Sequence, residues 1–93
     1  MILKANILKS YKKDFRRLKN SGKFKEGKLK EVIIALLKQE KLDEKHRDHQ
    51  LNGVLSHLRE CHIESDLLLI YQTDKENGKL HLVNIGSHSD LFE

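Results

Sequence analysis

The run Leu67–Tyr71, "LLLIY", is apolar at each of its five positions. Successive residues of a strand face opposite ways, so a run with no polar step must be covered on both sides. That marks a central strand and constrains everything placed around it. "DKENGK" follows, and its Asn77-Gly78 pair is a strong signal for a tight hairpin. The return segment is "KLHLVNIG", and "VLSHLRECHI" precedes the run as a further strand. The second half of the chain therefore reads as an antiparallel meander of three strands around "DLLLIYQT".

Helices are the natural cover for one face of that sheet, and the first half supplies two. "ILKANI" (residues 2–7) reads as a short opening strand, with Ser10 as N-cap of the helix that follows. Tyr11, Phe15 and Leu18 recur at helical spacing until the stop signal "NSG". Leu29, Val32, Ile33, Leu36 and Leu37 then form an i, i+3, i+4, i+7, i+8 stripe, the clearest periodicity in the chain. "QEKLDEKHRDHQLNG" has no period and reads as a long polar connection, a rarity in compact domains unless it serves a function. The expectation is one α+β domain over residues 1–93, a small antiparallel sheet with two N-terminal helices on one face. No stretch approaches the roughly 20 apolar residues of a membrane span, and lysines interrupt the first apolar residues too early for a signal peptide. A single cysteine excludes an internal disulfide. These features fit a cytoplasmic protein.

Charge is divided unevenly. Residues 1–47 carry fifteen Lys/Arg against six Asp/Glu, a balance of +9, while residues 48–93 carry three against eight, a balance of −5. Such a basic half suits a phosphate backbone or an acidic protein partner, unless it is only a pair of solvated helical faces. Five of the six histidines (His49, His57, His62, His81 and His88) lie in the other half. A meander sets the end of one strand beside the start of the next. Residues 62–66 and 84–88 are thus expected at one edge, with the 41–53 connection folded over them.

Imidazole both takes and gives protons near neutrality. His49, His62 and His88 beside Glu60 and Asp66 suit phosphodiester cleavage of RNA. One group removes the 2′-hydroxyl proton, another protonates the leaving 5′-oxygen, and Arg59 would grip the phosphate with its planar fork. Asp66 would hold one imidazole in a chosen tautomer. Blander readings stand beside these. His49 taken alone is a surface loop histidine, His62 a hydrogen-bonded sheet residue, Cys61 a small buried hydrophobe. His57 and His81 read as ordinary strand residues. A zinc site through Cys61, His62, His49 and His88 lacks any Cys-x-x-Cys pair, and adjacent Cys61 and His62 point to opposite faces. The paired spacing of His46 and His49 has no second ligand pair to match. No metal or other cofactor is expected.

"RDHQLNG", "LRECHIESDLLLIYQ" and "LHLVNIGSHSDLF", in that order and spacing over residues 47–92, resemble the YafQ branch of the RelE-like bacterial toxins. The resemblance implies a RelE-like fold and a toxin of a type II toxin–antitoxin pair. It further implies a ribosome-dependent endoribonuclease that cuts mRNA and halts translation, so that the partners would be mRNA, the ribosome and a cognate antitoxin. The family's catalytic positions fall on His49, His62, Asp66 and His88, with Glu60 and Phe92 implicated in some members. His88 is the expected proton donor and His49 or His62 the expected base. Phe92 either stacks on an RNA base or packs back onto the sheet edge.

The chain departs from the family pattern at three positions. Gln50 and Ser65 replace prolines, and Asn84 replaces a common arginine that would bring charge to the phosphate. Arg59, Arg47 or a lysine of the basic half would then have to compensate. Otherwise the chain is a weakly catalytic or non-catalytic member that inhibits translation by binding RNA or the ribosome. A metal-dependent regulator is a more distant alternative.

Overall fold

The computed structural model describes residues 1–22 and 24–92. Its elements run β1 (Lys4–Ile7), α1 (Lys9–Asn20), α2 (Glu26–Leu37), a 3-10 turn (Glu44–His46), β2 (His49–Gln50), a second 3-10 turn (Gly53–Leu55), β3 (Arg59–Glu64), β4 (Leu67–Asp74), β5 (Lys79–Gly86) and α3 (His88–Phe92). One sheet holds all five strands in the order β1-β5-β4-β3-β2. The meander β3-β4-β5 is antiparallel, and β1 joins β5 in parallel, so the sheet is mixed. The "LLLIY" strand is central, as its composition requires.

Alternation along the strands divides the molecule. Cys61 and Ile63 of β3, Leu69 and Tyr71 of β4, and Leu80, Leu82 and Ile85 of β5 form a single core with Tyr11 of α1 and Leu29, Val32 and Leu36 of α2. Phe15 packs beside it, stacked on Tyr11 at 6.0 Å and meeting the Phe24 ring edge-on at 5.4 Å. On the reverse face, cross-strand register sets Glu60 opposite Ile70 and His62 opposite Leu68, and all but His62 are buried. Burial pushes the Cys61 thiol up to about 12, so it is a packing residue and no nucleophile at neutral pH.

Three local expectations are revised. Helix α1 begins at Lys9, so Ser10 is inside it. Its hydroxyl donates to the Val83 carbonyl at 2.5 Å, tying the helix to β5. The polar connection is partly ordered, because β2 pairs with β3 through His49–Glu60 and Gln50–Arg59. Strand β3 starts at Arg59, and Val54 and His57 lie in the turns before it.

Candidate active site

A buried carboxylate organises the reverse face. Glu60 has a side chain 8% exposed, and its Oε1 lies 3.6 Å from His62 Nε2 and 3.9 Å from His49 Nε2. Both imidazoles reach solvent, at 30% exposure for His62 and 52% for His49. This grouping follows from strand geometry. His62 stands two residues beyond Glu60 on the same face of β3, and β2 brings His49 directly across.

The connection holds each histidine through the backbone. His49 Nδ1 lies 2.6 Å from the Arg47 carbonyl. A carbonyl only accepts, so Nδ1 carries the proton, and neutral His49 keeps its lone pair on Nε2, the nitrogen facing the site. That is the tautomer a general base needs. Likewise His46 Nδ1 donates to the His62 carbonyl at 2.6 Å, pinning the 3-10 turn to β3. His46 is therefore structural, and Arg47 can present its carbonyl only because it takes a left-handed backbone (φ 47°, ψ 41°).

Asp48, between Arg47 and His49, looks the other way. Its carboxylate accepts from Arg59 Nε at 3.3 Å, from Arg59 Nη2 at 3.2 Å and from the Tyr71 hydroxyl. Arg59 is thus turned away from the histidines, because a strand sends residues 59 and 62 to opposite faces. The expectation that Arg59 grips the phosphate on the histidine side does not match this placement. The guanidinium instead clamps the connection to the sheet, and Asp48 holds its charge more firmly still. Cationic side chains beside His62 come from elsewhere, as Lys28, Lys45 and Arg47 line a groove with His62 and Ser65.

A second group lies where the β3–β4 turn meets the end of β5. Asp66 Oδ1 accepts from the His88 backbone N–H at 3.2 Å. Asp66 therefore fixes the start of α3 rather than the tautomer of an imidazole. Ser87 and Asp90 form a reciprocal cap, with Ser87 N to Asp90 Oδ2 at 3.0 Å and Asp90 N to Ser87 Oγ at 3.1 Å. These bonds hold the Asp90 carboxyl below the usual carboxylate range. Arg17 of α1 reaches Asp90 at 3.5 Å across Gly86, where a Cβ would stand 3.0 Å from the guanidinium. The His88 and Phe92 rings pack 5.0 Å apart, and Phe92 stays 40% exposed rather than joining the core. Asn84 belongs to neither group. Its Nδ2 donates to Asp14 Oδ2 at 2.9 Å, and the same oxygen accepts from Ile85 N at 3.1 Å, at the irregularity where Val83 is inserted into β5. Asn84 therefore serves α1–β5 packing.

The sequence-predicted residues fall into two sets, His49–Glu60–His62 and Asp66–His88–Phe92, joined by the β3–β4 turn. No hydrogen bond or ion pair links the sets among the described residues. Among those residues, too, no group of three His, Cys, Asp or Glu side chains is placed to hold a metal ion. Sequence reading passed over Asp48, Tyr71, Asp14 and Arg17. An Asp directly before a candidate histidine was the available signal for the first of them. No described helix is long and apolar enough to cross a membrane.

Residues 3–93 match the family model described as "Bacterial toxin of type II toxin-antitoxin system, YafQ". A "Putative toxin YafQ" of Haemophilus influenzae is 39% identical over 60 residues, a match spanning 62% of this chain and 59% of that relative's length. A copper-bound point mutant of a toxin from Helicobacter pylori superposes with a TM-score of 0.91 at 44% identity, over 98% of this chain and 100% of that one. The E. coli DinJ–YafQ toxin–antitoxin complex gives 0.87 at 26% identity, with both chains fully covered.

Proposed function

The chain belongs to the YafQ family of type II toxins, and on that basis we propose that it is an endoribonuclease cutting mRNA on the ribosome by metal-free acid–base chemistry. One observation carries the reading, the buried Glu60 carboxylate facing His49 and His62 at the solvent-open face of the sheet. His49, with its Nε2 lone pair turned to the site, is the base for the ribose 2′-hydroxyl. Glu60 stabilises the imidazolium this creates, and His62 shares the charge across the same carboxylate. His88 protonates the leaving 5′-oxygen, held in place by the bond from Asp66 to its backbone. Lys28, Lys45 and Arg47 offer phosphate contacts in the groove beside His62. The exposed Phe92 ring stacks on a base. The two sets of residues close on one phosphate when the ribosome presents the mRNA in line. A cognate antitoxin silences the toxin, as supported by the DinJ–YafQ complex of the similar E. coli protein.

A binding-only toxin is the second reading, favoured by Asn84, which brings no charge and is engaged by Asp14. Expression of wild type and of His88→Ala in the cytoplasm of a bacterial host separates the two. Cleavage predicts toxicity and new mRNA fragments bearing 5′-hydroxyl ends, both lost in the variant. Equal toxicity without such ends would establish the binding reading instead.

A further inference from the structure

Helix α1 takes over from β1 as the neighbour of β5. Strand β1 pairs with β5 only as far as Leu82, and from there three α1 residues at i, i+4 and i+7 follow the strand edge. Ser10 Oγ donates to the Val83 carbonyl at 2.5 Å, Asp14 Oδ2 accepts from Ile85 N at 3.1 Å, and Arg17 lies against Gly86. This brings Arg17 to the histidine side of the sheet. His62 stands directly across from Leu68, and Leu68 directly across from Gly86, so the three form one cross-strand row facing one way. A Cβ on Gly86 would stand 3.0 Å from Arg17 Nη2, so the guanidinium sits above Gly86 on the face that the His62 ring occupies. Gly86 does not take a left-handed backbone, so its missing side chain supplies room for that guanidinium. Strand spacing puts Gly86 about 10 Å from His62, and His88 starts α3 two residues beyond Gly86.

The contacts Arg17 makes are long ones. Nη1 lies 3.4 Å from Asp14 Oδ1 and Nη2 3.5 Å from Asp90 Oδ2, against about 2.7–2.9 Å for a well-formed charge-assisted bond. Both carboxylates have shorter bonds elsewhere, Asp14 from Asn84 and Ile85 N, and Asp90 from Ser87 N. The Arg17 side chain is 49% exposed, and a guanidinium has more N–H groups than two such contacts use. A phosphate brought to His88 meets the carboxylates of Asp14, Asp66 and Asp90, while Arg59 is committed to Asp48 on the other face. We infer that Arg17 binds the phosphate of the cleaved linkage from the His88 side and stabilises the charge that gathers on it; the inference takes its substrate from the cleavage reading. Lys28, Lys45 and Arg47 then serve the His62 side. Asn84, neutral and held by Asp14, leaves the site with a cation all the same, because α1 delivers one beside Gly86.

The test compares the full-length chain with Arg17→Met and Arg17→Lys in two assays. In the first, toxin binds ribosomes programmed with an mRNA that is 2′-deoxy at the decoding-site codon and so resists cleavage. One linkage of that codon at a time carries an uncharged methylphosphonate. At the contacted linkage, loss of the charge should weaken wild-type binding by about tenfold and leave binding of Arg17→Met unchanged. In the second, cleavage of the ordinary mRNA should slow by about 10²-fold in Arg17→Met and by less in Arg17→Lys, which keeps the charge and loses the fork. Both variants should melt with wild type, because the two carboxylates keep their shorter bonds. Equal loss of binding in wild type and Arg17→Met at every linkage would overturn the assignment, as would cleavage by Arg17→Met at the wild-type rate. Collapse of the His88 and Phe92 ring resonances in Arg17→Met would overturn it too, since Arg17 would then act by holding α3. The binding assay needs no cleavage. Coupling of Arg17 to one linkage in a toxin that cuts nothing would uphold the contact and refute the nuclease, and cleavage without coupling would do the reverse.

Discussion

Asp48 and His49 are chain neighbours that β2 sends to opposite sides of the sheet, and the division fixes what each can do. Asp48 is consumed by Arg59 and Tyr71 on the helix side, so His49 is left to face Glu60. The sequence did mark His49, Glu60, His62, Asp66 and His88, because imidazole and carboxylate clusters at strand ends are conspicuous in a one-dimensional reading. It misplaced Arg59, whose partner Asp48 arrives from a segment eleven residues away through β2 pairing that composition does not reveal. Ser65 is a further case. It occupies a left-handed backbone (φ 44°) in the β3–β4 turn, a region proline is barred from because its ring holds φ near −65°. This turn therefore differs in backbone from the proline-bearing pattern the chain otherwise resembles. Ser65→Gly is expected to stabilise the protein by up to about 1 kcal/mol, and Ser65→Pro to destabilise it by about 2 kcal/mol or more. Urea denaturation of the two variants checks both signs at once.

Among the elements, α1, α2 and the meander were legible because each runs long enough to display its period. Two-residue β2 and the 3-10 turns are too short to have one, and they form only because β3 and the clamp of Asp48 receive them. The α3 helix was likewise unread. Its five residues are held by side chains, with Asp66 and the Ser87–Asp90 pair binding its first N–H groups and Arg17 reaching across Gly86. The Asp90 carboxyl sits below its usual value of 3.8 in the folded protein. A depressed carboxylate contributes stability that is present above the usual value and lost as pH falls through the lower folded one. α3, and with it His88 and Phe92, should thus stay docked at neutral pH and loosen only in strong acid. In Asp90→Asn it should be loosened already at pH 7. Resonances of the His88 and Phe92 rings followed against pH give the comparison, and identical profiles for the two proteins would contradict this role for the cap.

Across the whole molecule the charge division visible in the sequence becomes spatial: both long helices come from the basic half, and both histidine sets come from the acidic one. Two lysines of the basic half, Lys28 and Lys45, border the groove of His62. Lys28→Glu with Lys45→Glu should weaken ribosome binding by about tenfold at low salt, with a shallower salt dependence than wild type. Co-sedimentation over a salt series measures it. What the sequence did not convey at this scale is that one sheet face serves the core and the other gathers Glu60, His49 and His62, because that depends on the register of β3 with β2 and β4. The most direct test of that arrangement is the rate of mRNA cleavage on programmed ribosomes, wild type against His49→Ala, with Mg²⁺ kept in excess for the ribosome and a chelator selective for transition metals added. Loss of the imidazole turned toward Glu60 should slow cleavage by about 10²–10⁴-fold with ribosome binding preserved. Cleavage by His49→Ala at the wild-type rate, or complete loss of wild-type cleavage on adding the chelator, would contradict the account.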